Sequence, residues 1–228
     1  MPDATVPLVL ALDTATDVTV GVARGTEVLG ADRVTDRMAH LEQLVPLVER
    51  CLAAAGVGLA EVGQLVVGLG PGPFTGLRVG IVTAQVLAHV RQVPLHGVCS
   101  LDTIALAHVA QAPGGAVEGG FVVATDARRR EVYWARYGAD GRRLEGPAVA
   151  APDAVPRLPT VGPAADLYAD RLQVVPGPRT LDAGLLAAHG LALPSAGTEP
   201  LYLRRPDAAE PSRRKSVLRL PPGQGVRR

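Results

Sequence analysis

One lysine, two cysteines and five histidines in 228 residues leave little material for several familiar chemistries. Lys215 lies far toward the C-terminus, so the glycine-rich segment Gly68–Gly80 lacks the lysine that a Walker A phosphate loop (GxxxxGK followed by Ser or Thr) requires. His40, His89, His96, His108 and His189 form no HxxxH or HxxH pair and have no carboxylate at ligand spacing, which argues against a metal centre. Cys51 and Cys99 make no CxxC motif, and each lies in an apolar run. They read as reduced, buried thiols of an intracellular protein rather than as a disulfide framework. No GxSxG elbow is present, so nucleophilic catalysis has no support. No uncharged run approaches the roughly 20 residues of a membrane span, and the N-terminus has neither a basic region nor a long apolar one. The expected location is the cytoplasm, with no membrane contact.

What is present is apolar and evenly charged. A content of 47% hydrophobic and 20% charged residues supports a substantial core, in one large domain or two small lobes. The formal net charge of +1 conceals a division: residues 204–228 carry +6, leaving −5 on everything before. From about Leu193 the chain turns Pro- and Arg-rich, which predicts an extended tail.

The first hundred residues alternate strand and helix signals. Leu8–Asp13, Val18–Arg24 and Glu27–Arg33 read as a three-strand meander. Leu41, Leu44, Val45, Val48, Cys51, Leu52 and Ala55 recur at three- and four-residue spacing, predicting a helix over 38–55 with Pro46 as a kink or a late start. Leu65–Leu69 reads as a buried strand, Gly76–Val90 as a second helix with Thr75 as N-cap, and Pro94–Cys99 as another strand. A similar opening recurs 113 residues later, where Phe121–Ala127 echoes Val9–Ala15 in placing an Asp, Asp126 or Asp13, at a strand end before a hairpin, here Glu131–Tyr137 and Arg142–Val149. Val161–Ala165 is the candidate counterpart of the glycine loop, and Gly114-Gly115 the hinge between halves.

Each candidate site has two readings. The glycine loop either holds an anion on the N–H groups of Thr75 to Leu77 or merely shapes a strand-to-helix turn; the GxGxxG dinucleotide fingerprint fails at Pro73 or Thr75. Gly76, Gly80, Ala84 and Ala88 form a stripe nearly without side chains, where either the 38–55 helix or another subunit packs closely. Asp13 and Asp126 either face a cleft as paired carboxylates or cap turns. Arg128-Arg129-Arg130 either meet phosphates or end a solvated hairpin. The basic tail either contacts RNA or an acidic partner, or serves solubility.

Several of these segments together resemble the bacterial TsaB family, the dimerization subunit of the tRNA threonylcarbamoyladenosine machinery. The resemblance rests on Ala11–Thr16, Arg37-Met38-Ala39-His40 with Leu44-Val45-Pro46, Gly68–Gly80, Ser100-Leu101-Asp102, Asp126–Arg129 with Glu131-Val132-Tyr133, and Tyr202–Ala208. It implies the α/β, two-lobed, duplicated fold of acetate kinases, sugar kinases and actin, with a reduced second lobe. The division would be 1–112 for the N-terminal lobe with two interface helices, 113–192 for the C-terminal lobe, and 193–228 for the basic tail. The catalytic paralogue TsaD carries an HxxxH metal pair, and setting it on this chain places Ser100 and Ile104 at the two histidines, neither a metal ligand of that kind. The resemblance therefore implies no catalytic residue, no metal and no required cofactor, with weak nucleotide binding at Asp13, Gly72, Thr75 and Gly76 left open. It implies a heterodimer with TsaD through Leu41, Leu44, Val45, Val48, Leu52, Gly76, Gly80, Ala84 and Ala88, a homodimer when alone, TsaE as a further partner, and tRNA reached through the complex, with Arg213, Arg214 and Lys215 as tail contacts. The alternative is an active ATP- or metal-dependent enzyme of the same superfamily, kinase-like or glycoprotease-like.

Overall fold

Every residue of Leu8–Asp13 is buried, so this strand, β1, has no solvent face and must be covered on both sides. The computed structural model describes residues 6–35, 40–112, 114 and 117–204, without the side chains of His40 and Leu41. β1 pairs antiparallel with β2 (Val18–Arg24), which pairs antiparallel with β3 (Glu27–Val34). On its other side β1 runs parallel to β4 (Val62–Gly68), and β4 runs parallel to β5 (Leu95–Val98), giving the order β3-β2-β1-β4-β5.

Alternation along these strands divides the side chains between two cores. Leu10, Leu12, Val20, Leu65 and Val67 point to one face, where they meet Leu44, Leu47 and Val48 of α1 (His40–Ala54) and Leu77, Ile81 and Ala84 of α2 (Phe74–Arg91). Pro46 lies inside α1 without ending it. Val9, Ala11 and Val66 point to the opposite face, where Leu186 and Ala187 of α4 (Ala183–His189) cover them.

The second sheet repeats the first in outline. β6 (Phe121–Asp126) pairs antiparallel with β7 (Val132–Tyr137), β7 with β8 (Arg143–Ala150), and β6 runs parallel to the two-residue β9 (Thr160–Val161). The order β8-β7-β6-β9 matches β3-β2-β1-β4, and a single parallel bridge from Thr160 to Val174 stands where β5 would be. Single 3-10 turns at Pro152–Ala154 and Asp166–Tyr168 take the places of α1 and α2. Gly162, at φ +107°, follows β9 with its α-carbon against the Ala124 carbonyl, as the glycine loop follows β4. The chain is thus the expected duplicated two-lobed α/β fold with a reduced second lobe.

Packing divides the chain differently from the boundaries expected at 112 and 192. The helix α3 (Ser100–Gln111) follows the first sheet but buries Leu101, Ile104 and Ala105 against Phe121, Val123, Ala135 and Tyr137 of the second. The helix α4 follows the second sheet but lies on β2, whose Gly21 has no room for a Cβ against the Ala183 carbonyl. Neither helix was legible from periodicity, because α3 is apolar on nearly every side and α4 has only seven residues. The segment after Leu193, expected as tail, packs on the first lobe as far as Leu201, before Arg204 reaches the second: Ala196 N–H donates to Gly97 O, and Leu201 N–H to Leu69 O, both at 2.8 Å. Residue 115 of the expected hinge, and the tail from Arg205 onward, lie outside the described residues.

Asp102 fixes α3 to its new partner. Its buried carboxylate accepts a hydrogen bond from Tyr137 Oη at 2.8 Å and pairs with Arg143 Nε at 3.2 Å. Replacing it by Ala leaves a guanidinium and a phenol without their acceptor, and breaking such a pair costs about 3 kcal/mol or more. Urea denaturation of Asp102→Ala is expected to register that loss; a loss below about 1 kcal/mol would remove Asp102 from this role.

Candidate functional site

The loop Gly68–Gly80 is a cradle, and the object in it is the chain's own β1 end. A Cβ on Gly68 would overlap Asp13 Oδ2, one on Gly72 would lie 2.6 Å from Ala15 O, one on Gly76 3.1 Å from Thr14 O, and one on Gly80 would overlap Thr14 Oγ1. Four glycines at four-residue spacing therefore meet three consecutive residues. Gly70, at φ +92°, supplies the one left-handed backbone position of the loop. Hydrogen bonds complete the contact: Thr14 Oγ1 donates to Gly76 O at 2.8 Å, Ala15 N–H to Asp13 Oδ1 at 2.7 Å, and Ser100 Oγ to Asp13 Oδ2 at 2.6 Å. Ser100 Oγ in turn accepts from Gly70 N–H at 3.0 Å, and Ser100 N–H donates to Gly70 O at 2.8 Å.

This arrangement decides between the two readings of Asp13. Its side chain is fully buried and both oxygens are engaged, so it closes a turn rather than facing a cleft. Asp126 does the same in the second lobe, accepting from Arg128 N–H at 2.9 Å. Burial pushes the Asp13 carboxyl up to about 6, against the lowering effect of the hydrogen bonds from Ser100 and Ala15. Ser100 and Ile104, at the positions of the paralogue's histidines, tie the loop to α3 and fill the second core respectively. Of the four residues expected to hold an anion, Asp13, Gly72 and Gly76 are brought together, but facing one another. Thr75 is exposed and makes no capping hydrogen bond, and Pro73 stands at the N-cap of α2 instead.

The helix α2 has two rows at four-residue spacing, and they face opposite ways. The small row Gly80, Ala84 and Ala88 is buried inside the first lobe, so these residues cannot touch a second subunit. The expected interface through them is corrected: their small size admits Thr14 and the sheet. Leu44 is likewise buried in the same core, Val48 and Leu52 belong to that core but also line the groove between α1 and α2, and Leu41 lies outside the described side chains. The outward row is Phe74, Arg78, Val82, Val86 and Val90, which sequence reasoning passed over. Its signal was there: branched apolar residues repeating on a helix whose other face was also apolar.

Val45, Val82, Val86 and Val90 are between 52 and 68% exposed; among the described expected interface residues Val45 is exposed and Gly76 is half-buried. Beside them, α1 and α2 enclose an apolar groove of about 350 Å³, lined by Val45, Val48, Leu52, Val57 and Leu87. A second depression of about 470 Å³ continues it along Phe74, Arg78, Val79 and Val82. At that end Tyr202 stacks on Phe74 at 4.7 Å and the Arg78 guanidinium lies 5.2 Å from the same ring. In the second lobe, Arg128, Arg129 and Arg130 are exposed at a turn where all three have positive φ. Among the described residues no three His, Cys, Asp or Glu are grouped to hold a metal, and no helix is long and apolar enough to cross a membrane. Arg213, Arg214 and Lys215 lie outside the described residues.

Comparison with known proteins fits this geometry. The family described as TsaD, tRNA N6-adenosine threonylcarbamoyltransferase, matches residues 35–193. YeaZ from Pseudomonas aeruginosa superposes with a TM-score of 0.68 at 30% identity, over 86% of this chain and 100% of that one. The Escherichia coli tRNA threonylcarbamoyladenosine biosynthesis protein TsaB is 36% identical over 132 residues. The chain belongs to this family, in its TsaB branch. An uncharacterised protein of Mycobacterium tuberculosis is 47% identical over 88% of this TsaB-family chain and 93% of its own length. The match to the Escherichia coli protein covers 58% of this chain and 55% of that protein.

Two measurements test the filled cradle. The folded chain binds a proton at Asp13 more tightly than the unfolded chain does, so its contribution to stability is complete below about pH 4 and is lost as pH rises through about 6. Relative to Asp13→Asn, the wild type is expected to lose about 2 kcal/mol of unfolding free energy between pH 4 and pH 7; parallel profiles for the two proteins would sink the assignment. Gly80→Leu drives a side chain into Thr14 and is expected to destabilise the first lobe by about 1–3 kcal/mol or more. A variant with an unchanged melting temperature would show that the stripe has space to spare.

Proposed function

We propose that this chain is a non-catalytic subunit that pairs with a TsaD-type threonylcarbamoyltransferase and supports it in tRNA threonylcarbamoyladenosine biosynthesis; the name of its Escherichia coli relative gives that biosynthesis and no more. The transfer itself, to N6 of the tRNA adenosine beside the anticodon, is assigned to the partner. The observation that carries the reading is the valine row Val82, Val86 and Val90 with Val45, set around an apolar groove. A contiguous apolar face of this kind marks an interaction site. Side chains of α1 and α2 on either side of the groove suit packing against a second pair of helices. The non-catalytic part is supported by the consumption of polar groups inside the chain. Asp13 has no free oxygen, Ser100 bridges the loop, and Ile104 is core. No required cofactor is assigned to this chain. TsaE, and tRNA held through the complex, complete the proposed assembly, and without its partner the same face is available to a second copy.

Charge placed on the outward row separates docking from folding. Val82→Asp with Val86→Asp is expected to leave unfolding free energy within about 0.5 kcal/mol of wild type, since both side chains are on the surface. The same pair is expected to weaken binding to the organism's TsaD by roughly a hundredfold, as interface anchors do. Size-exclusion co-elution and calorimetric titration report this, and wild-type affinity in the double variant would refute the face.

A further inference from the structure

The segment from Ala196 to Arg204 touches both lobes in chain order. Its first contacts are with the first lobe: Ala196 N–H donates to Gly97 O, and Gln85 Nε2 of α2 donates to Thr198 O at 3.1 Å. Gly97 has no room for a Cβ beneath the Gly197 carbonyl, so the approach depends on that glycine. At the midpoint Leu201 N–H donates to Leu69 O, at the head of the glycine loop, and the Leu201 side chain packs on the apolar clusters of both sheets. Tyr202 then stacks on Phe74. Arg204 ends the crossing in the second lobe, where Nη1 donates to Ala127 O at 2.8 Å and Nη2 pairs with Glu131. Ala127 and Glu131 are the two residues that flank Arg128-Arg129-Arg130, joined to each other by Ala127 N–H to Glu131 O at 3.0 Å.

We propose that residues 196–204 are a latch that fixes the second lobe's β6–β7 turn to the glycine loop of the first, with the Arg204–Glu131 pair as its releasable end. The two ends differ in kind. The anchor is backbone hydrogen bonding and buried Leu201, indifferent to salt. The far end is a guanidinium–carboxylate pair whose side chains are 23% and 38% exposed, and such a pair is worth little and is screened by ions. Release therefore begins at Arg204 and frees the turn that carries the three exposed arginines, while the first lobe keeps its core. Because the latch passes over Phe74, the setting of the second lobe is linked to the end of the outward face of α2.

Hydrogen exchange read by mass spectrometry on the full chain tests this. Arg204→Gln and Glu131→Gln are each expected to speed exchange roughly two- to fivefold both at residues 126–132 and at residues 68–72, the size of an exposed pair's contribution. The double variant is expected to go no further than Arg204→Gln alone, which already removes both the pair with Glu131 and the bond to Ala127 O. Raising salt to about 1 M on the wild type is expected to reproduce the effect and to have none on Arg204→Gln. Exchange in α1 should stay at the wild-type rate, which separates unlatching from global destabilisation. A change confined to 126–132, additive effects in the double variant, or salt-independent exchange would each overturn the proposal.

Discussion

The closeness with which α2 and its leading loop approach the end of β1 governs most of this molecule. Gly68, Gly72 and Gly80 admit Asp13, Ala15 and Thr14 at distances where any side chain would collide, and Gly76 lies tightly against Thr14 O. Once that approach is set, the direction of α2 across the sheet is set with it, and so is the side of the helix that faces out. The hydrogen bonds from Ser100 extend the constraint to α3, and Leu201 on Leu69 O extends it to the C-terminal segment. A loop of the kind that elsewhere encloses a ligand has here become an internal joint between three parts of the chain.

The same constraint sorts the two faces of α2 by size. Small residues are needed inside, where Gly80 meets the Thr14 side chain, and the bulk has moved to the outside as Val82, Val86 and Val90. A helix apolar on both faces makes sense when one is spent on the lobe and the other, under the proposed function, is kept for a second protein. The affinity of that second contact then comes from branched side chains in a groove rather than from backbone proximity. Substitutions on the two rows should therefore have separate phenotypes, one in folding and one in assembly.

Much of the first lobe was legible because its signals are local. The strands β1 and β2 begin and end where alternation and turn residues place them, and β1 and β6 announce the duplication through Asp13 and Asp126, each closing its own turn. What could not be read depends on distant partners. Thr75 is a good capping residue by type, yet Pro73 starts the helix because the loop descends onto Ala15. The stripe Gly80, Ala84 and Ala88 correctly signals a close neighbour, but spacing alone does not say whether that neighbour is a helix, a strand or another chain. Proline and arginine after Leu193 suggested tail, because backbone hydrogen bonds to Gly97 and Leu69 leave no mark in side-chain composition.

The exchange of helices between the halves reaches beyond packing. Because α3 completes the core of the second sheet and α4 that of the first, neither half of the chain encodes a finished hydrophobic core. A ribosome that has released only the first hundred residues has made a sheet with one face still bare, awaiting a helix some eighty residues further on. The two halves are therefore expected to depend on each other for the full burial of their sheets, each lending the other a helix rather than standing as an independent domain.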